Sequence, residues 1–275
     1  MTDRLEIQCP AKLNLFLHIT GRREDGYHCL QTLFQIIDLC DTLVLNKTSS
    51  PELHFACDDA SLNTEDNLVL RAAKALQLAT GTTFGATMHL SKHIPTGAGL
   101  GGGSSNAAST LLGLNRLWNT QLSHEQLARI GLSLGADVPL FVLGRTAWAE
   151  GIGEKLTPMT LSEKTYLVID PGCHVSTQEI FSHQQLTRNT TAIKMAAFLA
   201  RDTRNDCENV VRSLYPPVDN ALIWLGQFAE ARMTGTGASI FATFDNADDA
   251  YALLPKIPKG MRGFVAKGLN SSPAC

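Results

Sequence analysis

The sequence predicts an α+β protein built as two domains, residues 1–155 and 165–275, and three observations carry that reading. The first part alternates strand-like runs with helices around one glycine-rich loop. A stretch with Gly151, Gly153, Pro158 and polar residues up to Lys164 then reads as a linker. Beyond it the order of elements is β-α-β-β-α-β, the ferredoxin-like arrangement. At 275 residues the chain can bury one full core or two smaller ones.

Taken in order, residues 12–19 alternate with period two. Leu13, Leu15, Leu17 and Ile19 face one way, and Lys12, Asn14, Phe16 and His18 the other. Asp25-Gly26 marks a turn. Strand-like runs follow at 30–37, 42–45, 53–57 and 85–90. Between the last two, Asp66-Asn67 start a helix with an apolar stripe of Leu68, Ala72, Leu76 and Ala79, and Gly81 stops it. Leu111, Leu114 and Leu117 recur at helical spacing after the glycine loop. Ser123 and Gln126 form a capping box for a helix that ends at Gly135. A short helix begins at 136–139 and a strand lies at 145–150. In the second part, strands are expected at 165–170, 231–234, 239–244 and 263–267. Helices are expected at 205–214, 218–228 and 246–254.

The stretch Pro95-Thr96-Gly97-Ala98-Gly99-Leu100-Gly101-Gly102-Gly103-Ser104-Ser105 is the chemical centre of the chain. Five of the seven residues from Gly97 to Gly103 are glycine, and a helix follows directly. Unpaired amides and the positive end of the helix dipole converge there, which suits a phosphate. The competing reading is a flexible turn with Ser104 or Ser105 as the helix N-cap. No Gly-Lys-Ser/Thr follows the glycines, so this is not a Walker loop. Two residues elsewhere are candidates by type. Asp137 could be a base or the N-cap of the helix carrying Pro139. Lys12 could hold an anion or lie on a strand's solvent face.

Composition excludes several classes. Lys plus Arg number 23 against 26 Asp plus Glu, a net charge of -3. That leaves no basic footprint for nucleic acid and no polybasic membrane segment. Met1-Thr2-Asp3-Arg4 opens no secretory signal, and no apolar run reaches the ~18–20 residues of a membrane span. The seven cysteines, Cys275 among them, are scattered and never form C-x-x-C, so zinc and a disulfide framework are not expected. A reduced, cytoplasmic protein is expected.

Pro-x-Gly-x-Gly-Leu-Gly-Gly-Gly-Ser-Ser-x-Ala resembles the phosphate loop of the GHMP kinases. Pro10-Ala11-Lys12-Leu13-Asn14-Leu15 resembles that family's first motif, and Met233-Thr234-Gly235-Thr236-Gly237-Ala238 its third. Gly21-Arg22-Arg23-x-Asp25-Gly26-Tyr27-His28 and Gly135-Ala136-Asp137-Val138-Pro139 are similar to one branch, whose alcohol substrate carries a cytidine diphosphate group. The resemblance implies an N-terminal domain like domain 2 of ribosomal protein S5 and a ferredoxin-like C-terminal domain. It implies an ATP-dependent small-molecule kinase, with Mg2+, acting as a monomer or weak homodimer. Asp137 would be the general base and Lys12 would steady it. Residues 95–105 would wrap the ATP phosphates, and Asn67 and Lys92 would line the adenine pocket. Tyr27 and Phe181 would sandwich cytosine, with His28 and Asn14 bonding other parts of the substrate. Nothing in the sequence around Phe181 marks it for that role. Other readings are a GHMP kinase for homoserine or mevalonate, a nucleotide sensor without turnover, and an RNA-binding protein.

Overall fold

The computed structural model describes residues 2–195 and 203–274; Cys275 lies outside them. Strand β1 (Arg4–Arg22) and strand β2 (His28–Thr48) form a long antiparallel hairpin. Its turn is closed by Arg23 N–H donating to the Tyr27 carbonyl at 2.7 Å. The opposite edge of β2 pairs in succession with β5 (Ala147–Glu150), β10 (Arg262–Leu269) and β4 (Gly85–Ser91). Strand β3 (Leu53–Cys57) runs parallel beside β4. The runs at 30–37 and 42–45 are therefore one strand, which Asp38 to Asp41 do not break.

Both faces of the middle of β1 are buried, contrary to the two-faced reading. Lys12, Asn14, Phe16 and His18 are as enclosed as the leucines. A register shift between Asn14 and Leu17 breaks the alternation. Leu13 consequently joins a cluster with Ile37, Leu100 and Val168, whereas Leu17 and Ile19 pack with Leu167 and Ile240. A strand wedged between two domains has no solvent side for a lysine.

Helix α1 (Leu68–Thr80) is capped by Asn67, whose side chain accepts from Val69 N–H, and ends on Gly81 in the left-handed region. Helix α2 (Gly102–Leu117) starts earlier than its leucine stripe, with Gly101 as N-cap and no side-chain cap. Ser104 and Ser105 are in its first turn and cap nothing. Helix α3 (His124–Leu134) has the expected capping box of Ser123 and Gln126. Helix α4 (Val138–Leu143) follows. Leu111, Leu114, Leu127 and Val138 share a core with α1 and β4.

The stretch read as a linker contains β6 (Lys155–Pro158), which pairs with β5 across a turn at Gly151 and Gly153. Polar composition hid it because this strand is largely exposed.

In the second part, β7 (Thr165–Asp170), β8 (Ala231–Met233), β9 (Ile240–Phe244) and β10 stand in the order β10-β7-β9-β8, every neighbouring pair antiparallel. That is the expected ferredoxin-like order. Helices α6 (Glu208–Leu214) and α7 (Pro216–Leu225) are separated at Tyr215, since Pro216 starts a new helix more easily than it continues one. Helix α8 (Ala247–Tyr251) precedes a single 3-10 turn at Leu254–Lys256. Short helix α5 (Thr177–Ser182), capped by Ser176, was not expected. Through β10 the sheet runs without interruption from one domain into the other. The six described cysteines are free thiols.

Candidate active site

Two clefts meet at the glycine loop. The first, of about 420 Å³, is lined by every residue from 95 to 104, together with Asn67 and Lys92. The second, of about 670 Å³, holds Lys12, Asn14, Tyr27, His28, Asp137 and Phe181. Gly99, Gly101 and Ser104 line both.

The loop's shape follows from its glycines. Gly101 has φ +74, a backbone that L side chains rarely adopt, and a methyl there would meet Lys12 Cε at 3.1 Å. A Cβ on Gly99 would lie 2.6 Å from the Thr234 carbonyl oxygen. The loop is thus pressed against the β8–β9 turn, where Ser239 N–H also donates to Ala98 O at 3.1 Å. The first intrahelical bond of α2 runs from Ser105 N–H to Gly101 O. The amides of Gly102, Gly103 and Ser104 therefore have no partner within the helix, and these residues line the smaller cleft. An anion there meets free N–H groups and the positive helix end together.

The loop's entry is fixed by Asp41, which is 0% exposed. Its carboxylate accepts from the backbone of His93 and Ile94 at 2.8 and 2.9 Å, from Asn106 Nδ2 at 2.9 Å and from the Lys92 ammonium. Lys92 thus reaches the smaller cleft as half of an ion pair. Asn67 likewise uses both ends of its amide, capping α1 with its oxygen and donating from Nδ2 to Leu62 O at 3.0 Å. Ser105 is fully buried, lines neither cleft and leaves its hydroxyl without a partner. Among the two serines, Ser104 alone faces ligand space.

In the larger cleft Lys12 is 3% exposed, and its ammonium donates to Asn14 Oδ1 at 2.6 Å and lies 3.3 Å from Asp137 Oδ2. Its third N–H has no acceptor among the described residues. A cation that buried needs negative partners, and the cleft has room for one more. Asp137 stands at the N-cap of α4, yet its side chain makes no capping bond and stays 31% exposed. The competing reading of Asp137 as a cap therefore fails in its main term. Asn14 is itself held from both domains: its Nδ2 donates to Thr32 Oγ1 at 3.0 Å, and its backbone N–H to Thr234 Oγ1 at 2.8 Å.

At the outer end, Tyr27 is 60% exposed on the hairpin turn. Phe181, half-buried against the second core, stacks on His28 with ring centroids 5.0 Å apart and planes 21° apart. Sequence reading missed what ties them. Arg188 donates from Nε to His28 Nε2 at 3.1 Å, and from its other nitrogens to the carbonyls of Phe181, Leu186 and His183. No local pattern marks Arg188.

This geometry can hold a phosphate chain in one cleft and an alcohol in the other, with a lysine and a carboxylate at the junction. Models of known families agree with it. The description GHMP kinases N terminal domain matches residues 67–145, and GHMP kinases C terminal matches residues 185–263. The chain belongs to the GHMP kinase family. One curated GHMP-family relative, the 4-diphosphocytidyl-2-C-methyl-D-erythritol kinase of Shewanella sp. (strain MR-7), is 55% identical over 265 residues, 96% of this chain and 93% of the relative. A crystal structure of 4-(cytidine 5'-diphospho)-2C-methyl-D-erythritol kinase superposes with a TM-score of 0.84 at 34% identity, covering 96% of this chain and 99% of that one. The mevalonate kinase of Methanococcus jannaschii superposes at 0.71 with 17% identity, covering 97% and 99%. That third likeness is one of fold.

Proposed function

We infer that this GHMP kinase transfers the γ-phosphate of ATP to the C2 hydroxyl of 4-diphosphocytidyl-2-C-methyl-D-erythritol, in the non-mevalonate route to isoprenoids. The observation that carries the reading is the shared boundary of the two clefts, with Lys12 and Asp137 beside it. Relatives bearing that kinase's name, 55% and 54% identical to this chain, support the choice of substrate.

Residues 95–104 bind the ATP phosphates through backbone amides, while Asn67 and Lys92 border the adenine. Asp137 accepts the proton of the attacking hydroxyl. Lys12 keeps Asp137 aimed and meets the negative charge that spreads over the transferring group. Phosphoryl transfer needs little more than such positioning and charge stabilisation. Tyr27, Phe181 and His28 receive the cytosine, and Asn14 holds the polyol near Lys12. Residues 1–155 then supply the phosphate loop and the base, and residues 165–275 supply Phe181 and the Gly235–Thr236 side of the cleft.

The family implies Mg2+, and the donor set fits an ion held mostly by phosphate and water. No cluster of three acidic, His or Cys groups occurs among the described residues, and Ser104 is the hydroxyl residue at the junction. When bound, the ion neutralises phosphate charge. We place the enzyme in the cytoplasm as a monomer or weak homodimer. No helix among the described residues is long and apolar enough to cross a membrane.

An alcohol panel tests the assignment. ADP release should rise with 4-diphosphocytidyl-2-C-methyl-D-erythritol and stay at background with homoserine or mevalonate. Turnover of either small alcohol with comparable kcat/KM would contradict it.

A further inference from the structure

Arg188 is placed where the chemistry of its partner becomes a choice of base. A guanidinium only donates hydrogen bonds, so His28 Nε2, which receives the Arg188 Nε–H at 3.1 Å, must offer a lone pair. A neutral imidazole with Nε2 unprotonated carries its proton on Nδ1. Burial first, and then the charges of Arg188 and Arg22, hold the ring's pKa below its ordinary value of 6.5. The neutral form therefore dominates near neutrality. Nδ1 has no protein partner among the described residues. His28 itself lines the larger cleft and is stacked on Phe181, whose carbonyl the same guanidinium holds at 3.0 Å.

We propose that Arg188 is a positioning residue that locks His28 as the Nδ1–H tautomer, so that the cleft meets a base with a hydrogen-bond donor and selects cytosine over uracil. This rests on the reading of the larger cleft as a cytidine diphosphate site. Cytosine presents lone pairs at N3 and O2, which such a donor satisfies. Uracil carries an N–H at N3, so two donors would face each other in a partly buried place. An imidazole free to exchange tautomers could turn its acceptor to that N–H and would discriminate poorly. Arg188 removes the exchange, because moving the proton to Nε2 would set N–H against N–H. The same residue bridges the start of β2 and the end of α5, so the donor and the stacking ring are set by one side chain.

Two measurements test this. Long-range 1H–15N correlation spectra of the wild-type enzyme at about pH 7 read the tautomer directly. The expected His28 signal is neutral with the proton on Nδ1; a proton on Nε2, or on both nitrogens, would overturn the proposal. Calorimetry then compares cytidine and uridine diphosphates. Wild type should prefer the cytidine compound by about 10–100-fold, the worth of one hydrogen bond against one unsatisfied donor. In Arg188→Met that preference should shrink at least about tenfold, largely through better uridine diphosphate binding, while ATP affinity holds. Arg188→Gln, whose amide can either donate to Nε2 or accept from it, carries the same comparison if the methionine variant does not fold. An unchanged preference, or an equal loss of both ligands, would make Arg188 a purely structural clasp and overturn the proposal. Wild type binding both diphosphates equally would overturn it while leaving the cleft reading intact. Wild type binding neither would overturn the cleft reading and this proposal with it.

Discussion

Asp137 occupies the N-cap position of α4 without making the capping bond, so removing only its charge costs the helix no hydrogen bond. Asp137→Asn should lower kcat by about 10²–10⁴, the usual worth of a general base. ATP affinity should hardly change, because the carboxylate lines the larger cleft and not the one at the glycine loop's helix end. Stability should fall as well, because the buried Lys12 ammonium loses its carboxylate partner even though no hydrogen bond to the helix is lost. Steady-state kinetics and a urea melt check both halves; kcat above a tenth of wild type would make the residue a bystander. At this scale the sequence was legible where a motif names the residue type. Lys12, Asn14 and Asp137 stand together in the larger cleft, and the missing bond argues against the capping reading of Asp137. Asp41 and Arg188 were not legible. Each acts through partners 51 or more positions away, Lys92 for one and His28 for the other.

The glycine loop and α2 form the element in which sequence and function meet most closely, and its glycines are not equivalent. Gly101 needs its positive φ, and a methyl there presses on Lys12 and Phe141. Gly101→Ala should destabilise the fold by about 1–2 kcal/mol, the cost of a left-handed L-residue, and disturb catalysis as well. Gly103 is helical and exposed in the smaller cleft, and a Cβ would approach only Leu68 Cδ1, at 3.3 Å. Gly103→Ala should therefore leave the melting temperature unchanged or slightly raised, because alanine is the better helix former. ATP binding should nevertheless weaken. Thermal melts with nucleotide titration separate the two outcomes, and normal ATP affinity in Gly103→Ala would remove the phosphate role of this helix end. Periodicity alone placed α2 late, since its first turn contains no apolar residue to count. It also missed α5 and β6, which are too short and polar to show a period.

Across the whole molecule, the ferredoxin-like order was readable because its elements follow one another locally. The joining of the domains was not. Gly268 pairs with Ile37, and Thr234 receives the backbone N–H of Asn14 from 220 positions away. Contacts at such separations leave no periodic trace in one sequence, yet they bring the third motif against the first and the glycine loop between them. On the proposed reading the arrangement has one consequence that no single residue carries: a phosphate held in the smaller cleft is passed to an acceptor in the larger one, across the wall they share at Gly99, Gly101 and Ser104. Transfer from γ-labelled ATP measures this directly. With 4-diphosphocytidyl-2-C-methyl-D-erythritol present, the label should appear on the substrate's C2 oxygen, one for each ADP formed, and nearly none should appear as free phosphate. ADP accompanied by labelled inorganic phosphate alone, or label on a different hydroxyl, would contradict the account.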